Sequence, residues 1–506
     1  MLASVLVAAT FTRTMERVTS MDPVQARSIY DSHAVQLVYQ PPLEVDYTAR
    51  PYKLVPGFCE LPEVSADGLT YVFKVKVRGE GERRKDKLLC SPSPYAFTST
   101  DMVRSLERLR DPSAVSPNGW IMKDVDTVKA LDVQTVEIRL KRKCHFFPWL
   151  MAMSSCGVVG PNGEGTGPYR LAHWRKNHEM VFERKSTTTA NRDSFDTVRY
   201  LVIDDASTQW LMFLKGEIDF LESISRDNFD SIVGPDGRID PELERQGVKL
   251  HSIPTMEVLH VGINMKDPVL GPNRKLRQAL NAAFDYPAWE KFYNGRIMPC
   301  PTPVPPGVAG RLEKPFAYAY DLGKARRLMA EAGYPDGVDP KTGRRLVLTM
   351  SIGRASQESR EAGELIAAFY EKIGVKLELS FMTWDAFLKA VNEGRVQMFR
   401  MGWVGDYPDA QNFLQLFYSK NVSPGPNHAF YVNPAYDREY DAALDAKTVE
   451  ERDAHWAKCQ EIVTEDCPWV FTHVNKAYSL VRPTVKNFVP TDFPYGVEKY
   501  YQVGRR

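Results

Sequence analysis

A chain of 506 residues, 43% of them hydrophobic, is long enough to bury a large core and to divide into two or three lobes. Its 65 basic and 64 acidic residues nearly cancel, so no global field draws it to nucleic acid or to an anionic membrane. Small molecules or short chains are the expected partners.

The opening "MLASVLVAATFTRT" (1–14) has an apolar run followed by small residues, as a secretory signal and its cleavage site would, although no basic residue precedes it. It reads as a clipped or mis-started export signal, with a buried first strand or helix as the alternative. The run is too short to span a bilayer, and no other segment could do so. "GLTYVFKVKV" (68–77) and "TVEIRLKRK" (135–143) alternate with period two and predict strands. Between them, "GEGERRKDKLLCSPSPYAF" (79–97) reads as a charged surface excursion, and "STDMVRSLERLRD" (99–111) as a helix with a serine or threonine cap.

"GPNGEGTGPYR" (160–170) is glycine-rich but misses the dinucleotide spacing, and reads as a turn into the strand "YRLAHW". The proline-rich "MPCPTPVPPGVAG" (298–310) predicts an exposed irregular loop. "DLGKARRLMAEAGYPDG" (321–337) is a helix stopped by Gly333, and "SREAGELIAAFYEKIGVKLELSFM" (359–382) is a helix running through a glycine turn into a strand. Strands and helices therefore interleave as in an α/β protein.

Signatures of catalysis are missing. There is no GxSxG, HExxH or GxxxxGK[ST], and no catalytic residue, metal ligand or cofactor is assigned. His173 and His178 are five apart and fall on opposite faces of a strand, which suits surface histidines better than a shared metal. Asp204 and Asp205 adjoin in "YLVIDDAST" and suit a cap or turn. The seven cysteines include no CxxC, and buried free thiols are the expected state for most; a Cys459–Cys467 bridge is the one pairing that neighbouring positions suggest.

What remains is "MFRMGWVGDYPDA" (398–410). "VQMFRMGWV" predicts a strand with Met398, Arg400 and Gly402 on one face, Phe399 and Trp403 on the other. Asp406 then falls in a tight turn just past the strand. Either it caps that turn while Arg400 pairs with a local acid, or both face a ligand.

Several segments together resemble the family 5 extracellular solute-binding proteins, the oligopeptide- and dipeptide-binding components of ABC importers. These are "SMDPVQARSIYDSHAVQLVYQPPLEVD", "PEVSADGLTYVFKVK", "GTGPYRLAHW", "LKGEIDFLE", "LRQALNAAFD", "ARRLMAEAGYPDG" and "WVGDYPD", in the family's order across nearly the whole chain. The resemblance implies a bilobal α/β fold of the periplasmic-binding-protein type, with a third inserted domain and a ligand cleft between lobes. Residues 1–34, 164–255 and 476–506 would form a composite lobe, 35–163 the inserted domain, and 256–475 the second lobe.

The same resemblance assigns Asp406 to the ligand's α-ammonium and Arg400 to its α-carboxylate. It makes Trp384 and Trp403 walls of side-chain pockets, and Arg27, Ser28 and Ile29 a strand offering backbone hydrogen bonds to an extended peptide. It implies a monomeric periplasmic receptor, without cofactor, that passes short peptides to ABC permease subunits. Relatives on this scaffold also take metal chelates or haem, so a non-peptide solute is the alternative, and an enzyme on the same scaffold a lesser one. The family's usual turn after the first hairpin is replaced by residues 78–97, and the stretch from Cys156 to Thr166 is short. Both departures touch the inserted domain.

Overall fold

In "TFTRTM", β-branched and aromatic residues follow one another, and the segment forms strand β1 (Thr10–Met15). It runs parallel to Thr197–Val202, from Thr10 beside Thr197 to Met15 beside Val202. Such a strand is covered on both faces, which is why it lacks the alternation of a half-buried strand; five of its six residues are buried. Arg13 among them is fully buried and ion-paired with Glu222 at 2.5 Å. Thr10 to Thr14, read from the sequence as part of an export signal, thus belong to the folded sheet. The computed structural model describes residues 9–46, 49–76, 96–185, 194–234, 237–486 and 488–491, so residues 1–8 and most of the 79–97 excursion lie outside it.

Contacts divide the chain into two units, residues 1–253 with 477–506, and residues 254–476. In the first unit, β1 lies between Thr197–Val202 and the short strand Phe220–Leu221, and the sheet continues through Glu179–Arg184 to Tyr169–Arg175. A separate antiparallel sheet runs in the order Glu63–Val64, Thr70–Lys74, Thr135–Leu140, Val125–Ala130, and contains the two strands predicted from alternation. The helix Ser99–Arg110 begins at a Thr98–Asp101 capping box, as its sequence suggests. Asp205 caps the helix Ala206–Lys215 through the Thr208 N–H, and His173 and His178 are exposed around the Tyr169–Arg184 hairpin.

The segment before helix α1 (Ile29–Val38) departs from expectation. Arg27, Ser28 and Ile29 form no strand. Ser28 is the helix cap and Ile29 its first residue, with Ser28 and Asp31 making a reciprocal capping box. Asp31, fully buried, accepts from the backbone N–H groups of Arg27 at 2.9 Å and Ser28 at 3.3 Å, and from both N–H and hydroxyl of Thr19. The donors that a β-augmenting strand would present at Arg27 and Ser28 are already used within the chain. Burial alone would raise the Asp31 carboxyl's pKa; the N–H groups of Arg27 and Thr19 outweigh that and hold it below the usual aspartate value.

In the second unit the central strand β2 (Glu257–Ile263) is sandwiched, antiparallel, between two others. Helices α2 (Tyr286–Phe292) and α3 (Trp384–Asn392) precede a further strand of this sheet. That strand, β3 (Met398–Val404), pairs with β2 from Glu257 beside Val404 to Ile263 beside Met398. A short helix, α4 (Ala410–Leu414), follows it, and strand β4 (Trp469–Val481) flanks the far side of β2. On its other edge β3 runs parallel to Val347–Ile352, which in turn runs parallel to Lys376–Phe381.

Gly333 (φ +90°) ends the helix Leu322–Glu331, and Gly374 (φ +80°) makes the turn from Gln357–Glu371 into Lys376–Phe381, both where predicted. A core of Trp289, Phe284, Ile366, Phe369 and Tyr370, each at most 1% exposed, packs beneath the sheet. Each such side chain contributes roughly 1.5–3 kcal/mol of transfer free energy. The proline-rich segment is not the exposed loop expected. Ile297–Pro299 pairs with β4, and Thr302 to Pro305 are buried. Prolines bring no N–H donors inside, and the Val304 carbonyl accepts from the Thr302 hydroxyl at 3.0 Å and Arg311 Nη1 at 3.2 Å. Among the described residues all six cysteines (Cys59, Cys144, Cys156, Cys300, Cys459, Cys467) are buried free thiols.

Candidate functional site

Three parallel strands of the second unit end along one edge of its sheet: Val347–Ile352, Lys376–Phe381 and β3. Register sets Arg400 beside Ile352, so β3 continues for four residues beyond the end of its neighbour. In α/β sheets the crevice outside the carboxyl ends of such strands is where ligands bind. Four of the seven residues singled out from the sequence lie on this edge.

Arg400 is half-buried. Its Nη2 donates to the Tyr293 hydroxyl at 2.7 Å, and its Cζ lies 5.7 Å from the Trp289 ring centre on α2. Among the described residues no carboxylate makes an ion pair with it. Behind it, Trp289 Nε1 donates to His473 Nδ1 at 3.0 Å, which fixes the proton of a neutral imidazole on Nε2. Burial, and secondarily Arg400, hold the His473 pKa well below the usual value, which favours an uncharged imidazole behind Arg400. Burial likewise raises the Tyr293 phenol's pKa, against a lowering influence of Arg400, and the hydroxyl stays protonated.

Trp403, on the opposite face of β3 from Arg400, and Asp406, past its end, are joined by one side chain. Asn412 of α4 is fully buried, and its Oδ1 accepts from Trp403 Nε1 at 3.0 Å and from the Asp406 N–H at 3.1 Å. Its Nδ2 donates to Asp406 Oδ2 at 3.1 Å. Both ends of the amide are thereby satisfied in a single orientation. Asn412 thus supplies one neutral donor to the carboxylate. Asp409, three residues on, behaves differently: it is 2% exposed, caps α4 through the Gln411 N–H, and pairs with Arg452 at 3.2 Å.

Trp384 is the first residue of α3 and is 54% exposed. Its ring lies 5.6 Å from that of Phe387, over Gly353, where a Cβ would come within 2.9 Å of the indole. The glycine at the end of Val347–Ile352 lets the indole lie against the strand end. Trp384 belongs to this edge but not to the Asn412 network. Arg27, Ser28 and Ile29 belong to the first unit and form the helix cap already described. Sequence reasoning missed Asn412, Tyr293 and Trp289; "DAQNFL" and "YPAWEKFY" carry no motif that marks them.

Known proteins resemble this chain along most of its length. Haem-binding protein A of Haemophilus influenzae is 25% identical over 88% of this chain and 83% of its own. The glutathione-binding protein GsiB of Escherichia coli is also 25% identical, over 91% of this chain and 88% of its own. Among solved structures, the periplasmic murein tripeptide-binding protein MppA, in its unliganded open form, superposes with a TM-score of 0.82 at 20% identity, over 98% of this chain and 97% of its own. The family model of the bacterial extracellular solute-binding proteins, family 5, matches residues 53–425, and the chain belongs to that family.

Proposed function

We propose that this protein is the substrate-binding component of an ABC importer and that it captures short peptides by their charged ends. Arg400 receives the α-carboxylate, Asp406 the α-ammonium, and Trp403 and Trp384 supply apolar walls for side chains. One observation carries the reading: a half-buried guanidinium, held by a neutral phenol and an indole face, meets no acid among the described residues. A positive charge withdrawn from water without an anion is costly, and a ligand carboxylate relieves that cost. Glutathione, named for one relative, is itself a tripeptide. The protein works outside the cytoplasm as a monomer and delivers its ligand to membrane permease subunits.

A non-peptide solute is the competing reading, supported by the similarity to a haem-binding protein at equal identity. Calorimetry separates the two. Asp406→Asn is isosteric, so the fold should survive while affinity for a free peptide falls by about 30-fold to several thousand-fold, the cost of truncating a desolvated charge pair. N-acetylation of the peptide should cause a similar loss on the wild type and little more on the variant, since one interaction is removed twice. Additive losses would mean that Asp406 does not hold the ligand's amino end, and tight binding of haem with no peptide bound would contradict the peptide reading.

A further inference from the structure

The phenol that holds Arg400 has a second capacity. A tyrosine hydroxyl both accepts and donates, and the Tyr293 oxygen accepts from Arg400 at 2.7 Å. Its own proton meets no acceptor among the described residues. The ring is held from several sides, with Trp289 at 5.1 Å, Phe292 at 4.9 Å and His473 at 5.4 Å between ring centres, and 6% of the residue stays exposed. The hydroxyl is therefore a fixed donor next to a fixed cation.

The charges that act on it are those of Arg400 and Arg296, with Glu358 opposing them. Arg296 is tied to its own loop through Nε on the Tyr293 carbonyl at 3.1 Å. An anion entering beside Arg400 thus finds a charged donor and a neutral one within a single hydrogen-bond length of each other. A carboxylate oxygen has lone pairs for both, whereas a carboxamide offers one weaker acceptor and an N–H₂ group that both donors repel.

We propose that Tyr293 is a second direct donor to the ligand's carboxylate, beside Arg400, and that the pair selects a free C-terminal acid over its amide. The inference rests on the assignment of Arg400 to the ligand's carboxylate. Tyr293→Phe tests it, because the benzyl ring keeps every packing contact and removes only the hydroxyl.

The experiment takes the tightest binder from a tripeptide screen and titrates it, and its C-terminal amide, into four proteins: wild type, Tyr293→Phe, Arg400→Gln and the double variant. Tyr293→Phe should weaken the acid by about 10-fold or more and leave the amide nearly unchanged, as loss of a hydrogen bond to a charged group does. In the Arg400→Gln background it should lower the acid-to-amide ratio again. No further fall there means the hydroxyl acts only by orienting Arg400, and the direct-donor assignment is wrong. Equal losses on acid and amide make Tyr293 a packing residue and overturn the inference. If Arg400→Gln abolishes discrimination while Tyr293→Phe preserves it, the inference fails and the Arg400 assignment stands. If neither variant changes the ratio, or no peptide in the screen binds, the Arg400 assignment fails and the inference with it.

Discussion

Asp31 and Arg400 are both withdrawn charges, and the fold treats them in opposite ways. Asp31 is surrounded by its own chain: N–H groups of Thr19, Arg27 and Ser28 and the Thr19 hydroxyl converge on its carboxylate. Its charge is balanced by backbone dipoles, and nothing further is needed. Arg400 is also fixed, but by a phenol oxygen and a ring face that carry no net negative charge. A charge satisfied from within serves the fold, whereas one positioned beside neutral groups alone is the kind of group on which the proposed ligand contact rests.

Two acids of the second unit stand three residues apart: Asp409 is buried against Arg452, and Asp406 accepts from the amide of Asn412. Asp409→Ala should show the largest structural effect, a stability loss of about 3–5 kcal/mol from breaking a buried ion pair. Denaturant unfolding would measure it. Discrimination between a free peptide and its N-acetyl form should persist in whatever fraction stays folded; if it vanishes, Asp409 is part of the site and the contrast is wrong.

Asp31→Ala comes next, at about 2–3 kcal/mol, because it leaves buried N–H groups unsatisfied and removes a helix cap. Its pH dependence is specific. The folded-state pKa lies below the unfolded value of about 3.9, so the carboxylate's stabilisation is fully present above that pH and is lost as pH falls through the lower folded value. The stability gap between wild type and variant should be constant from neutrality to about pH 4 and should close below it. A gap that closed near neutrality would exclude this assignment.

Trp403→Phe should have the smallest effect. It removes one N–H donor from Asn412 and keeps an aromatic wall, so affinity should fall about 5-fold, roughly 1 kcal/mol, with stability nearly unchanged. A loss as large as that of Asp406→Asn would mean that the indole holds the carboxylate in place more firmly than Asn412 does.

The strand β3 was legible because large apolar residues alternate through it, and the helix ends at Gly333 and Gly374 because glycine there relieves a positive φ. The Ser28–Asp31 cap carries the S-x-x-D pattern of a capping box, yet family resemblance suggested a strand; local chemistry decided. The buried proline loop and the Arg400–Tyr293 bond were not legible. The bond joins residues 107 positions apart, and neither neighbourhood announces the other. Likewise nothing in "DAQNFL" shows that Asn412 will face back towards a strand end. Periodicity reports which face of an element is buried, and local motifs report caps, but the pairing of distant polar groups depends on how elements dock.

The most direct measurement is a titration of the wild-type protein with one short peptide in four forms: free, N-acetylated, C-amidated and blocked at both ends. On the proposal that Asp406 and Arg400 each meet one charged end, the free form should bind tightest, each single block should weaken binding by tenfold or more, and the doubly blocked form should bind weakest. Equal affinities for all four forms would contradict the assignment of Arg400 and Asp406 to the two ends of a peptide.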